Sequence, residues 1–182
     1  MNMIWRKLRH FLGFPSHRSA LQSRINRLSL TPQVTVLKQA GPTFIRGNHQ
    51  FDPKWLLERE AAFLMRLDGR FAPRLLATGN DWIEMEYCGT ELSADNLPAD
   101  WREQLEEITA VLAETGIVHR DIKPGNLLVK NDRLYLIDFG WAIWVNEDPY
   151  ISPRELNKNI SIDLIYDNAS ALNWLLSNYA NK

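Results

Sequence analysis

Four side chains that can bind metal ions or move protons are concentrated between residues 119 and 140 of this sequence. They are Asp121, Lys123, Asn126 and Asp138. Asp121 and Asn126 are five residues apart across a Pro-Gly turn, so both can face one cleft. Carboxylate and amide oxygens are the hard ligands that Mg²⁺ prefers, and a carboxylate can also accept a proton. A single Asp or Asn in a turn is most often a solvated residue, so the hypothesis of a site depends on all four residues together.

These residues belong to two short motifs. Residues 119–126 read His-Arg-Asp-Ile-Lys-Pro-Gly-Asn, and residues 138–140 read Asp-Phe-Gly. The pair resembles the catalytic loop and the metal-binding loop of the protein-kinase superfamily. Because the sequence has no Gly-x-Gly-x-x-Gly loop, it resembles the compact atypical branch, which includes RIO-type kinases and small kinases of lipopolysaccharide core sugars. The resemblance implies a bilobal α+β fold with a small antiparallel-sheet N-lobe and a truncated helical C-lobe.

The resemblance also implies a role for each of the four residues. Asp121 would accept the proton of the hydroxyl group that receives phosphate, and Lys123 would reach the transferring phosphate; these are the expected catalytic residues. Asn126 and Asp138 would hold Mg²⁺, with ATP as the phosphate donor. Phosphoryl transfer requires a positioned hydroxyl group and neutralisation of phosphate charge, and these residue types can supply both.

A cation that binds the phosphates of ATP, and a Glu that pairs with it, are expected in the N-terminal half. Glu60, in the middle of a predicted helix, is the expected partner, and Glu58 is the alternative. If residues 25–47 form a three-stranded meander, Arg46 occupies the usual place of the cation. Lys38 could instead reach across from the preceding strand, as in the with-no-lysine kinases, or the strands are shifted by one and Lys38 is the usual Lys. Both cations remain candidates at this point.

Residues 83–89 read Ile-Glu-Met-Glu-Tyr-Cys-Gly and lie between a predicted strand pair and a long predicted helix. They resemble the segment that joins the two lobes of kinases. There the backbone C=O of Glu86 and the N–H of Cys88 would contact adenine, with Met85 beside them; an ordinary strand end is the alternative interpretation. Cys88 is the single cysteine and cannot form an internal disulfide, which favours a reducing, cytoplasmic compartment.

Hydrophobic periodicity and turn signals predict the elements that must position these residues. Helices are predicted at residues 54–67, 98–115 and 160–179. Strands are predicted at residues 25–30, 34–37, 43–45, 75–78, 82–87, 127–129 and 134–137. The expected division of the chain is a basic leader at 1–24, an N-lobe at 25–87 and a truncated C-lobe at 88–182.

The net charge of −1 conceals an asymmetry between the two ends of the chain. Residues 1–51 contain eight Lys or Arg and no Asp or Glu, which leaves the rest of the chain with a net charge of −9. Apolar residues within 3–14 recur on one helical face among basic residues. Such a helix can lie at the surface of an anionic membrane or pack on the body of its own protein. The basic residues form no evident patch for a nucleic acid, so no nucleic-acid partner is expected.

These observations together predict an ATP-dependent phosphotransferase that acts on a hydroxyl group. The acceptor would be a protein Ser or Thr, or a sugar of an envelope glycolipid, and the enzyme could contact the inner face of the membrane through residues 3–14. The alternative is a pseudokinase that serves as a binding scaffold. The missing Gly-rich loop and the unresolved choice of the phosphate-binding cation favour it, whereas the intact Asp121, Asn126 and Asp138 argue against it.

Overall fold

The structure of the chain is a computed structural model that describes residues 26–30, 35–46, 49–147 and 177. The predicted leader lies outside the described residues, as does the predicted C-terminal helix apart from Ser177, whose backbone is helical. None of the helices within these described ranges is both long enough and apolar enough to span a bilayer.

The described residues form two α-helices and a set of short strands. The helices are α1 (Pro53–Leu67) and α2 (Trp101–Thr115). The strands are β1 (Asn26–Leu30), β2 (Thr35–Ala40), β3 (Phe44–Arg46), β4 (His49–Phe51), β5 (Leu75–Thr78), β6 (Trp82–Glu86), β7 (Thr90–Glu91), β8 (Ile117–Val118), β9 (Leu127–Lys130), β10 (Arg133–Leu136) and β11 (Ile143–Trp144). The predicted α+β class is confirmed, and α1 begins one residue earlier and α2 three residues later than predicted.

Four antiparallel strands form the N-terminal sheet, in the order β1-β2-β6-β5. The pairing of β2 with β6 places Lys38 opposite Ile83 and Val36 opposite Met85. Ile83 and Met85 are buried, and α1 packs against this region of the sheet. Lys38 is therefore the buried residue of β2, although it is the charged one.

The predicted meander over residues 25–47 is wrong in its third strand. Strand β3 pairs with β4, with Ile45 opposite Gln50, while the strand beside β2 is β6. Since β6 contributes the buried side chains of Ile83 and Met85, its pairing with β2 places an apolar face against α1. Arg46 consequently lies at the end of a separate hairpin, and not on a strand next to Lys38.

Local signals at both ends determine the length of α1. The side chain of Asp52 caps the helix by accepting from the Lys54 N–H at 3.0 Å, and Pro53 occupies the first turn, where its missing N–H costs nothing. The helix ends at Leu67, and the next residue, Asp68, is its C-cap with a left-handed φ of 46°. Glu60 lies on the buried face of α1, whereas Glu58 is exposed.

The buried side chain of Gln104 connects helix α2 to the β9–β10 hairpin through hydrogen bonds. Its Nε2 group donates to Asp100 Oδ1 at 2.7 Å and to the C=O of Asp132 at 2.8 Å, and its Oε1 accepts from the Leu134 N–H at 2.8 Å. Three hydrogen bonds compensate for the burial of this amide. They also fix the turn of the hairpin against the helix.

The hairpin brings together two residues that the sequence separates by twelve positions. Asn126 directly precedes β9 and Asp138 follows β10, and the Ile137 N–H donates to the C=O of Asn126 at 2.9 Å. A continuous apolar core, which includes Leu64, Leu105 and Leu134, connects α1, α2 and the hairpin. The core therefore holds the ends of the hairpin against the helix that carries Glu60.

We predict that Gln104→Leu lowers the free energy of unfolding by about 1–3 kcal/mol, because it leaves the buried N–H of Leu134 without its acceptor and the C=O of Asp132 without its donor. Urea denaturation followed by circular dichroism measures this loss. The matched control is Glu103→Leu at the neighbouring exposed position, with an expected change within about 0.5 kcal/mol. Equal effects of the two substitutions would contradict the assigned role of Gln104.

Candidate active site

A buried histidine holds the backbone of the segment that carries Asp121. The N–H of Asp121 donates to His119 Nδ1 at 3.3 Å, so Nε2 carries the ring proton and donates to the C=O of Ile137 at 3.1 Å. Burial lowers the pKa of His119 to about 4, which keeps the ring neutral at pH 7. The ring therefore bridges this segment and the residue that precedes Asp138.

The carboxylate of Asp121 has two partners on its own segment. Lys123 Nζ donates to Asp121 Oδ2, and Asn126 Nδ2 donates to the same oxygen at 2.9 Å and to the C=O of Asp121 at 2.8 Å. Burial raises the pKa of Asp121, and the ammonium group of Lys123 opposes that rise. A positioned carboxylate with a raised pKa is suited to accept a proton.

Lys38 forms the centre of a buried charged cluster that joins three elements. Its Nζ lies 2.5 Å from Glu60 Oε2 on α1 and 3.2 Å from Asp138 Oδ1 after β10. Lys38 is 4% exposed and Glu60 is 2% exposed. Because a buried charge without a partner is strongly unfavourable, each member of this cluster depends on the others.

The two carboxylates of this cluster share one ammonium group, and their pKa values move in opposite directions. Burial raises the pKa of Glu60, with Lys38 opposing the rise. Burial also favours the neutral form of Asp138, but Lys38 and Lys123 outweigh this effect and lower its pKa. For Lys38 itself, the two carboxylates outweigh burial and raise the pKa above its usual value. Asp138 is therefore the carboxylate that stays ionised over the widest range of pH.

Phe139 anchors the backbone at Asp138. Asp138 has a left-handed φ of 67°, and the next side chain, Phe139, is fully buried. The ring of Phe139 contacts His119 edge-on, with 4.6 Å between centroids, and lies 6.4 Å from that of Phe63 on α1. The core thus positions Asp138 through its neighbour.

The oxygen donors near this cluster fit Mg²⁺ bound together with a phosphate. Asn126 uses its Nδ2 group for the contacts with Asp121, so its Oδ1 atom and the carboxylate of Asp138 are the candidate ligands. Over the ranges that the structure describes, no group of three or more His, Cys, Asp or Glu could hold a metal ion without further help. Mg²⁺ commonly takes one or two protein oxygens and completes its shell with phosphates and water, which matches this donor set.

The predicted lobe-joining segment is fixed against the β9–β10 hairpin. Lys130 Nζ donates to the C=O of Tyr87 at 2.7 Å and to Glu86 Oε1 at 3.2 Å. Gly89 has a φ of 93°, and a Cβ there would lie 1.9 Å from the backbone oxygen of Val129, so only glycine fits. The segment thus passes close to the hairpin that carries Asn126.

Cys88 is buried, and its Sγ donates to the C=O of Glu86 at 3.7 Å. Burial raises the pKa of the thiol to about 12, so Cys88 is a packing residue and not a nucleophile. The contact of Glu86 and Cys88 with adenine stays a prediction.

The structure brings most of the predicted site residues together. Asp121, Lys123 and Asn126 lie in one segment, and Lys38, Glu60 and Asp138 lie in one cluster. Of the two candidate cations, Lys38 contacts the cluster, while Arg46 lies in the β3–β4 hairpin and its role in phosphate binding stays a prediction.

Sequence reasoning missed Arg59 and Glu147, which form an ion pair close to this cluster. The available signal was weak, because Arg59 directly precedes Glu60 but nothing in the sequence links it to Glu147.

The comparisons agree with the motifs. The sequence profile of a group described as "Phosphotransferase enzyme family" matches residues 43–144, a range that contains Glu60, Asp121 and Asp138. The chain is 30% identical over 118 residues to a probable serine/threonine-protein kinase BUD32 homolog from Archaeoglobus fulgidus, covering 65% of this chain and 58% of that protein. It is 27% identical over 143 residues to the serine/threonine-protein kinase ppk34 of Schizosaccharomyces pombe, covering 68% of this chain and 40% of that protein.

We predict that Lys38→Met lowers the free energy of unfolding at pH 7 by about 3–5 kcal/mol, because it leaves the buried carboxylate of Glu60 and the largely buried one of Asp138 without their ammonium group. The pKa of Glu60 then rises further above its unfolded value, so the folded state binds more protons than the unfolded state. The loss of stability relative to the wild-type protein should therefore be smaller at pH 5 than at pH 7, since the destabilising protonation of His119 is common to both proteins. Urea denaturation with a metal chelator at both pH values measures this.

The matched control for this prediction is the double variant Lys38→Met/Glu60→Gln. It lacks the titrating carboxyl group of Glu60 and should not regain stability in this way. The role assigned to the charged cluster is wrong if the single variant is destabilised equally at both pH values.

Proposed function

The chain belongs to the phosphotransferase enzyme family, within the atypical branch of the protein-kinase superfamily, and from this premise we propose that it transfers the γ-phosphate of ATP to a hydroxyl group. The observation that carries the proposal is the buried contact of Lys38 with both Glu60 and Asp138, next to the segment of Asp121. A buried ammonium group beside a carboxylate and an amide that can bind Mg²⁺ suits a triphosphate. The matched relatives are longer, since the chain spans 58% of the archaeal one, so the activity of the whole protein is part of this proposal.

In the proposed reaction the acceptor oxygen forms a bond to the γ-phosphorus, the bond to the leaving oxygen of ADP breaks, and the hydroxyl proton passes to Asp121. Lys38 would hold the phosphates, with Glu60 fixing its position, and Lys123 would neutralise charge on the transferring group. Asn126 and Asp138 would hold Mg²⁺, which neutralises phosphate charge.

We propose a protein Ser or Thr as the acceptor, because the relatives described above are named serine/threonine-protein kinases. A sugar hydroxyl of an envelope glycolipid is the second candidate. The basic amphipathic sequence at residues 3–14 favours it, since such a helix could hold the enzyme at the anionic inner face of a membrane. The single, buried Cys88 is compatible with a reducing, cytoplasmic compartment.

A pseudokinase that serves only as a binding scaffold would not require the same residues to be arranged in this way. A protein that only binds partners has no need for a buried Lys38 held between two carboxylates, or for Asp121 held by both Lys123 and Asn126. Because such arrangements are costly to bury, their presence favours catalysis.

We predict that Asp121→Asn lowers the rate of Mg²⁺-dependent phosphate transfer by about 100- to 10,000-fold, through loss of the proton acceptor. Asp138→Asn should also remove most of the Mg²⁺-dependent increase in thermal stability that ATP produces. The assay uses [γ-³²P]ATP with the protein alone, a generic protein acceptor and glycolipid vesicles, alongside thermal shift.

The matched control is Asp81→Asn, the same substitution at an exposed turn. It should retain the wild-type rate and thermal shift. Absence of nucleotide binding and turnover in the wild-type protein would favour the scaffold, and labelling of glycolipid without labelling of protein would identify the sugar as the acceptor.

A further inference from the structure

An ion pair outside the proposed active site joins α1 to the segment after Asp138. Arg59 Nη1 donates to Glu147 Oε1 at 2.8 Å and Nη2 donates to Glu147 Oε2 at 2.7 Å, so the guanidinium group binds the carboxylate in a bidentate manner. The same Nη2 donates to the C=O of Ala142 at 3.2 Å. Arg59 directly precedes Glu60, and Glu147 lies nine residues after Asp138.

The surroundings of this pair restrict its motion. The guanidinium carbon of Arg59 lies 5.1 Å from the ring centroid of Trp55 and 5.5 Å from that of Phe63. The ring of Trp144 packs against Phe63 with 4.7 Å between centroids, and the backbone N–H of Trp144 donates to Glu147 Oε2 at 3.0 Å. The carboxylate is thus held from both elements, and Arg59 lowers the pKa of Glu147.

We propose that Arg59 and Glu147 are positioning residues for the cluster of Lys38, Glu60 and Asp138, an inference that rests on the proposed function. Glu60 belongs to α1 and Asp138 to the segment that the pair attaches to α1. Lys38 can therefore keep its contacts with both Glu60 and Asp138 only if α1 and this segment stay at a fixed distance from each other. The ion pair between Arg59 and Glu147 holds α1 and this segment at that distance.

A second Arg–Glu pair provides the comparison. Arg70 contacts Glu114 through both Nη1 and Nη2. These side chains are 46% and 64% exposed, whereas those of Arg59 and Glu147 are 15% and 28% exposed. This second pair joins the loop after α1 to α2. Exposed pairs contribute little, and partial burial strengthens an ion pair.

The test compares Glu147→Ala, the conservative Glu147→Asp and the control Glu114→Ala. Turnover of Mg²⁺-ATP, thermal unfolding and hydrogen exchange of the α1 amides are measured on the full chain. Glu147→Ala should lower kcat roughly tenfold to 100-fold, because small misplacements of catalytic groups have effects of this size. It should also accelerate exchange in α1. Glu147→Asp should regain part of the rate, and Glu114→Ala should match the wild-type protein.

The outcomes distinguish failure of the positioning role from failure of the proposed function. The positioning role of Arg59 and Glu147 is overturned if Glu147→Ala keeps the wild-type kcat, or if Glu147→Asp does not recover any rate while both variants unfold at the temperature of the control. If Glu147→Ala does not fold, Arg59→Lys is measured in its place. This variant keeps the charge but loses the bidentate contact, and the same decrease in kcat is expected. If the wild-type protein has no turnover, the proposed function has failed. Hydrogen exchange of the α1 amides then tests the positioning role alone, and an exchange rate in Glu147→Ala equal to that in Glu114→Ala overturns it.

Discussion

Lys38 carries a positive charge into a position where only 4% of the residue is exposed, and the arrangement around it follows from that constraint. Desolvation of an ammonium group costs several kcal/mol, and only close carboxylates can offset it. Glu60 and Asp138 do so, from a helix and from the end of a hairpin. An apolar core of the same volume would be at least as stable, so burial of these charges is more readily explained by chemistry than by stability.

The rest of the fold can be understood as support for this contact. The pairing of β2 with β6 gives Lys38 a fixed strand, and Glu60 lies on the buried face of α1, the helix that the Asp52 side chain caps. The β9–β10 hairpin reverses the chain, so that the residue before Asp138 is hydrogen-bonded to Asn126. Gln104 fastens that hairpin to α2. Local hydrogen bonds and a shared core thus hold side chains that lie far apart in sequence.

The sequence predicted those parts of the site that depend on local signals. The helix around Glu60 has a cap, a proline and a periodic apolar face, and the separation of Asn126 and Asp138 matches the length of one hairpin. The choice between Lys38 and Arg46 could not be made in this way, because it depends on which strand pairs with β2. Strand pairing between distant segments is decided by the apolar surface that each candidate buries, and short strands carry little of that information.

Electrostatics explains why a site of this composition would need a divalent cation to hold a nucleotide. Two ammonium groups, those of Lys38 and Lys123, face the three carboxylates of Glu60, Asp121 and Asp138, so the formal charge of these groups is negative when all are ionised. A triphosphate brought to them would be repelled, and low dielectric strengthens that repulsion. Protonation of Glu60, whose pKa burial raises, would remove one negative charge. The larger part must come from cations that bind the phosphates, and the oxygens of Asn126 and Asp138 are the donors suited to hold them.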